Sequence, residues 1–394
     1  MKKLLIASAA LAMVAGTAQA QSSVTVYGVL DIGVSDVKNE STTNSVTTAS
    51  KITNTGNGDG SLATSRLGFR GTEDLGKGRK ANFQLEYDLT DAGTGSTRAN
   101  GAAASTTTQA AGTTYAMLGA RYSWVGLEDA KLGQLRLGQQ ETTMHSVFTA
   151  GLAGGANNAT GSIYSSSDTV NSISDISARA RPYDVFVSRA ITYISPKIAG
   201  VTLEVQSANY KTSAGTPGAL TDLRVALNAA SLKYSFGKLN LAAAMQTTKV
   251  DSAATTNDVN TRDGEALSAN YDFGVVRAFA VYSTDKQTQF AGVRHDTKAT
   301  ELGLQLPLGK TMLWASMFDG DRKGTGLTTA ADAQGLATRN ADLAGYQVGV
   351  RNDLSKRTAV YAIYGKQEIK GTAAENNTNK LESTGVSVGV RHSF

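Results

Sequence analysis

The stretch Thr64 to Thr90, TSRLGFRGTEDLGKGRKANFQLEYDLT, constrains this chain more than any other, because it sets charges along one face of a β-hairpin. Leu67 and Phe69 fall on one side, Arg66, Gly68 and Arg70 on the other. After a turn holding Gly76 and Gly78, Phe83, Leu85 and Tyr87 oppose Gln84, Glu86 and Asp88. Alternation over runs this long predicts strand, and the glycine-containing turn predicts a hairpin. With the turn centred on Lys77, Arg70 falls opposite Gln84 and Arg66 opposite Asp88, with Glu86 diagonal to both arginines, so opposite charges share a face. That face cannot be a dry core, since each charge would cost several kcal/mol to desolvate. It must be wet.

The chain opens MKKLLIASAALAMVAGTAQA. Lys2 and Lys3, an apolar run from Leu4 to Val14 and the Ala18-Gln19-Ala20 cleavage pattern predict a secretory signal peptide over residues 1–20, removed after Ala20. The run is shorter than the roughly 20 residues a spanning helix requires. The two lysines belong to the 38 basic residues and the segment carries none of the 33 acidic ones, so the exported part has a formal charge of +3. With no like-charge blocks and no basic-aromatic interleaving, nucleic acid is excluded as a partner. The absence of cysteine excludes disulfides, zinc thiolates and thiol catalysis. Mean hydropathy is -0.20, and no later apolar run approaches the length of a membrane helix. Strands that alternate apolar and polar residues hide their hydrophobicity from such averages.

Alternation returns along the whole chain. In SVTVYGVLDIGVS, Val24, Val26, Leu30, Ile32 and Val34 oppose Thr25, Tyr27 and Asp31. A polar stretch from Asp36 to Ala63 reads as a long loop, and a second runs from Asp91 to Thr114. Beyond it, Tyr122 and Trp124 share one face, Arg121 and Ser123 the other, and Leu135 and Leu137 oppose Arg136. The longest loop follows, Glu141 to Ser188. Later runs meet at short turns near Pro196 to Gly200, Gly237, Gly274, Pro307 to Gly309 and Asp353 to Lys356, and the chain ends in TGVSVGVRHSF. Counting runs predicts sixteen strands, seven short turns and eight long loops in strict alternation, with both ends of the exported chain on the short-turn side.

The expected fold is therefore all-β, a 16-stranded antiparallel transmembrane β-barrel. Closure is compulsory in lipid, where no water satisfies the backbone groups of a sheet edge. Aromatics beside the turns, including Tyr122, Trp124, Tyr234, Phe236, Tyr271, Phe273 and Phe394, fit an interfacial girdle. Turning Arg66 and Arg70 toward lipid would cost about 2–4 kcal/mol each near the midplane. They are expected to face a water-filled lumen.

The motifs SVTVYGVLDIGV, SRLGFRGTEDLGKG, VGLEDAKLGQLRLG, NDLSKRTAVYAIY and VGVRHSF resemble the general porins of β-proteobacterial outer membranes, and the resemblance runs the full length after the signal. It implies a porin β-barrel domain over residues 21–394, a homotrimer in outer-membrane lipid, and a third extracellular loop folded inward against wall arginines. Carried over by motif, Arg66, Arg70, Arg121 and Arg136 form the basic wall of the constriction. Glu86 and Asp88, with Asp168, Asp175 and Asp184 in the third loop, form its acidic side. Phe394 at the end of the last strand is implied as the signal read by the outer-membrane assembly machinery. Arg189 shares its face with Ile191 and Tyr193 and is left out.

The expected function is an outer-membrane general diffusion porin for small hydrophilic solutes and inorganic ions, with a mild anion preference from the arginine excess. The alternatives are a substrate-selective channel, or a barrel adhesin or enzyme using its long loops. Catalysis is not expected. His145 and His295 are assigned to loops and His392 to the last strand, and a base needs a partner within hydrogen-bond reach. The cluster Gly56 to Gly60 lacks the strand-to-helix context of a phosphate loop and the ligand spacing of a metal loop. No cofactor and no metal site are expected.

Overall fold

Period-two alternation becomes a single sheet closed on itself. The computed structural model describes residues 23–43, 45–56, 60–89, 118–165, 185–216, 219–252, 259–289, 294–325, 340–371 and 380–394. Residues 1–20, the expected signal peptide, lie outside them. The strands are β1 (Ser23–Thr43), β2 (Val46–Gly56), β3 (Arg66–Gly76), β4 (Arg79–Leu89), β5 (Leu118–Asp129), β6 (Gly133–Glu141), β7 (Phe186–Ile194), β8 (Val201–Thr216) and β9 (Ala219–Phe236). They continue as β10 (Leu239–Ser252), β11 (Val259–Asp272), β12 (Arg277–Gln289), β13 (Arg294–Leu308), β14 (Thr311–Thr325), β15 (Ala341–Asp353), β16 (Thr358–Gly371) and β17 (Lys380–Ser393). One helix, α1 (Thr143–Ala150), interrupts them.

Among the described residues, each strand from β3 onward pairs antiparallel with its sequence neighbour, and β1 pairs with β17 from Val29–Ser393 to Thr42–Lys380 to close the ring. β2 stands outside the count. Residues Ser23–Val29 of β1 pair with β3, whereas its upper part folds back on β2. The remaining sixteen strands form the closed antiparallel barrel.

The opening hairpin has the expected register, with Arg66 opposite Asp88 and Arg70 opposite Gln84. Its two turn residues, Lys77 and Gly78, have φ of 56° and 78°, matching the right-handed twist of the flanking strands. A bulge between Asp74 and Gly76 takes up the extra residue.

The two faces of the wall differ in chemistry. Val26 on β1 is 55% exposed, and Leu137, Leu232, Leu267, Leu304 and Val388 are exposed on their own strands. A band of this extent would drive aggregation in water, and is what lipid requires. Tyr234 stacks on Phe236 and Tyr271 packs edge-on to Phe273 at the turn rim, as an interfacial girdle demands. On the opposite face Asp31, Ser35, Gln206, Gln246, Glu301 and Gln347 are buried.

Four features depart from expectation. The stretch between Asp36 and Ala63 is largely β ribbon, and only residues 217 and 218 separate β8 from β9, where a long loop is expected. Above the membrane neither face meets lipid or core, so Thr, Ser and Asn continue the ladder without an alternating signature. Trp124 belongs to the inner face, not the girdle. His295 sits within β13, not in a loop.

Candidate functional site

Strands β1 and β3 to β6 build a compact wall of charge on the face opposite the apolar belt. Arg121 donates from Nε to Glu86 Oε1 at 2.7 Å and from Nη1 to Asp88 Oδ1 at 3.0 Å. Arg66 Nε lies 3.8 Å from Glu86 Oε2. Tyr27 donates its hydroxyl to that same oxygen at 2.9 Å, and accepts from Gln84 Nε2 at 2.6 Å. The remaining guanidinium faces are covered by rings: Arg70 over Tyr27 at 5.1 Å, Arg136 over Trp124 at 4.5 Å and Arg121 over Phe186 at 4.7 Å. Such stacking holds a guanidinium flat while leaving its edge available.

Arg121 reaches this cluster through an irregularity. The ladder shifts between Glu86 and Tyr87, with Tyr122 opposite the first and Ala120 opposite the second, so Arg121 is the extra residue of a bulge. A bulge re-aims a side chain. Tyr122 and Trp124 below it and Arg121 at it therefore share the inner face, while Ser123 and Val125 are exposed. Strict parity assigns Arg121 and Tyr122 to opposite faces, and the bulge removes that distinction.

Glu86 and Asp88 do not stand across an opening from the arginines. They lie between Arg66 and Arg121 and neutralise part of the wall from within. Asp168, Asp175 and Asp184 lie outside the described residues. Two arginines escaped the sequence reading: Arg391 on β17, opposite Asp31 in the ladder, and Arg351 on β15, whose Nε is 3.0 Å from Asp353 Oδ1. The alternation of VGVRHSF, with Arg391 on the face of Ser387 and Gly389, carries the signal for the first. Arg189 is exposed, stacked over Tyr210 at 5.3 Å, and stays apart from the cluster.

The segment after β6 packs on the same polar face, along β8 to β16. Thr142 caps α1 by accepting from His145 N, satisfying one of the orphan amides of its first turn. Met144, Val147 and Phe148 sit at helical spacing and are fully buried against Ala244, Ala266 and Val281. That spacing, with a threonine before it, is the sequence signal for the helix. Wall side chains then hold the backbone. Gln206 accepts from Thr143 N and donates to Glu141 O. Glu301 Oε2 accepts from Ile163 N at 2.7 Å and from Ser162 Oγ at 3.0 Å. Gln347 accepts from Asn157 Nδ2 and Trp314 Nε1, and donates to Asn157 Oδ1 and to the carbonyls of Ala159 and Thr160. Asn158 closes the contact to Ser61. From Thr142 to Ser165 the segment contains no Asp or Glu.

His145 lies in α1 with Nδ1 3.4 Å from Glu141 Oε2, and the Ser146 hydroxyl donates to Thr143 O. His392 lies beside Thr358. Among the described residues no group of three metal-ligating side chains occurs.

A closed barrel with a belt of lipid-facing apolar residues and a charged interior is matched by comparison with known proteins. Residues 7–372 match the family model for Gram-negative porins. The chain belongs to that family. This porin is 30% identical to outer membrane porin protein 32 of Delftia acidovorans, and 28% identical to an outer membrane porin protein of Bordetella pertussis, each over the full length of both chains. Among solved structures, an anion-selective porin from Comamonas acidovorans aligns with 95% of this porin and 100% of its own chain, at a TM-score of 0.62 and 21% identity. OmpT of Vibrio cholerae in its trimer form aligns with 95% and 99% at 0.56 and 14%, a likeness of fold. The porin is an outer-membrane protein, and its family are channels.

Proposed function

We propose that this porin is a general diffusion channel in which the Thr142–Ser165 segment is the inward-folded third loop, narrowing a water-filled lumen against the arginine wall. The observation that carries the reading is the composition of that wall. Arg66, Arg70, Arg136 and Arg391 share the inner face with only one strongly neutralised partner, Arg121. A narrow opening bordered by such a field raises the local anion concentration without tight binding. Small hydrophilic solutes then pass down their gradients, with chloride favoured mildly over potassium. The solved anion-selective porin of the same fold supports this, and the trimeric form of OmpT supports a homotrimer. Residues 1–20 serve as the export signal, and Phe394 as the feature offered to the assembly machinery. No chemistry, cofactor or energy input takes part.

Planar-bilayer recording of the detergent-purified protein tests the reading. Large ohmic steps arriving in threes, with a reversal potential across a salt gradient biased to chloride, are expected. Equal permeability of the two ions would remove the field argument, and a folded barrel that inserts without current would remove the channel. A substrate-selective channel is favoured by one observation, the rings of Tyr27, Trp124 and Phe186 beside the guanidinium groups, and would show conductance that saturates with one solute.

A further inference from the structure

Well away from the arginine wall, near the long-loop rim, the polar face of β11 to β14 holds a second group of ionisable residues. Arg262 is locked by Asp285 in a two-pronged pair, Nε to Oδ1 and Nη2 to Oδ2, both at 2.9 Å, and Gln287 Nε2 donates to Asp285 Oδ2 at 2.7 Å. In the ladder Arg262 stands opposite Gln287, and Gln287 opposite His295. One step down the strands, Asp285 stands opposite Thr297, and Thr297 opposite Arg322. All of these side chains are buried, Arg322 to 3% exposure.

Arg322 is buried, whereas every arginine of the other wall is at least partly exposed. Its Nε is buried without a hydrogen-bond partner among the described residues, and Asp285 acts on it through space. His295 Nδ1 beside it is equally without a partner. Asp285 is already spent on Arg262 and Gln287. The row beneath, Ser283, Ala299, Gly320 and Leu343, offers no carboxylate, and on the far side Arg322 stands opposite Ala341. A buried guanidinium with no hydrogen-bonded counter-charge is a costly arrangement for a wall to hold, and its fixed donor fork matches an oxyanion.

We propose that Arg322 and His295, backed by the Arg262–Asp285 pair, form a binding niche for a small oxyanion, a phosphate or a carboxylate, on the loop side of the aperture. Arg322 is the recognising group. His295 supplies a second donor from the neighbouring strand, and Arg262 and Gln287 occupy both oxygens of Asp285. The niche goes beyond passive filtering by the arginine wall, since it holds an anion at one place before the narrow zone.

The test is calorimetric titration of the full-length, detergent-purified porin with sodium phosphate, and separately with sodium acetate, at constant ionic strength. Saturable binding of one anion per chain is expected for at least one of the two, and which one titrates identifies tetrahedral or planar recognition. Arg322→Gln should weaken it at least tenfold, and Arg322→Lys, which keeps the charge but loses the fork, should fall between. Arg277→Gln, at the opposite rim, is the charge-matched control and should bind as the parent does. No saturable binding of either anion by the parent chain would overturn the niche, whatever the variants do, and so would equal binding by Arg322→Gln. Because the readout needs no current, the result is independent of whether the barrel conducts.

Discussion

Glu86 is the residue on which the wall's charge turns. It accepts from Arg121 and Tyr27 and lies beside Arg66, so a single carboxylate holds three groups in place. Glu86→Gln keeps the hydrogen-bonding shape and removes one negative charge, leaving Asp88 alone against Arg121. The chloride-to-potassium permeability ratio should rise, read as a larger reversal potential, and an unchanged ratio would place Glu86 outside the ion path. Gln347 is the corresponding residue for the loop. Gln347→Leu strips partners from Asn157 and from two backbone carbonyls, each buried group left unsatisfied costing about 1–3 kcal/mol. The barrel does not depend on these bonds, so the expected result is a folded barrel with noisier conductance and faster proteolysis between Thr142 and Ser165.

At the scale of elements, α1 is a small amphipathic helix whose apolar stripe has no other place to go. Phe148→Ala opens a cavity worth about 3–5 kcal/mol and loosens the docking of the segment. Mean single-channel conductance should increase, while the heat-modifiable mobility of the barrel in gels stays unchanged; loss of the folded band would show instead that the helix supports the wall. The same scale explains what could be read beforehand. The hairpin register, the face assignments of Leu67 and Arg66, and the alternation of turns and loops were legible because lipid on one side and water on the other impose strict period two. Where that contrast ends, legibility ends: the ribbon above Asp36 and the β8–β9 extension carry no alternation. The bulge at Arg121 is invisible for another reason, since one extra residue leaves composition untouched yet reverses every face beyond it. The site was legible in part. Arg66 and Arg70 followed from parity alone, whereas the intrinsic pairing of Glu86 with Arg121 depended on knowing which strands adjoin.

For the whole molecule, the influence on ions proposed for the wall is a field effect and must respond to salt. The screening length falls from about 10 Å at 0.1 M to about 3 Å at 1 M, so the chloride preference should shrink toward unity as salt is raised symmetrically. A ratio independent of salt would point to a discrete binding step. The seam between β1 and β17 is the other global feature. Phe394 exchanges backbone hydrogen bonds with Gly28, 3.0 Å and 3.1 Å long, so the last residue of the chain completes the ring. Removing Phe394 should lower the yield of folded barrel in lipid far more than it lowers the melting temperature of barrels already formed.

That seam also governs when folding can finish. The residues that meet across it stand at opposite ends of the polypeptide, so the contact with the greatest sequence separation is the one the structure cannot do without. Topologies dominated by distant contacts fold slowly, and until the ends meet, the sheet carries two open edges inviting pairing with other chains. No partial length of this chain is a smaller version of the finished one. The final strand therefore acts as a clock: the ring cannot shut before β17 has met β1.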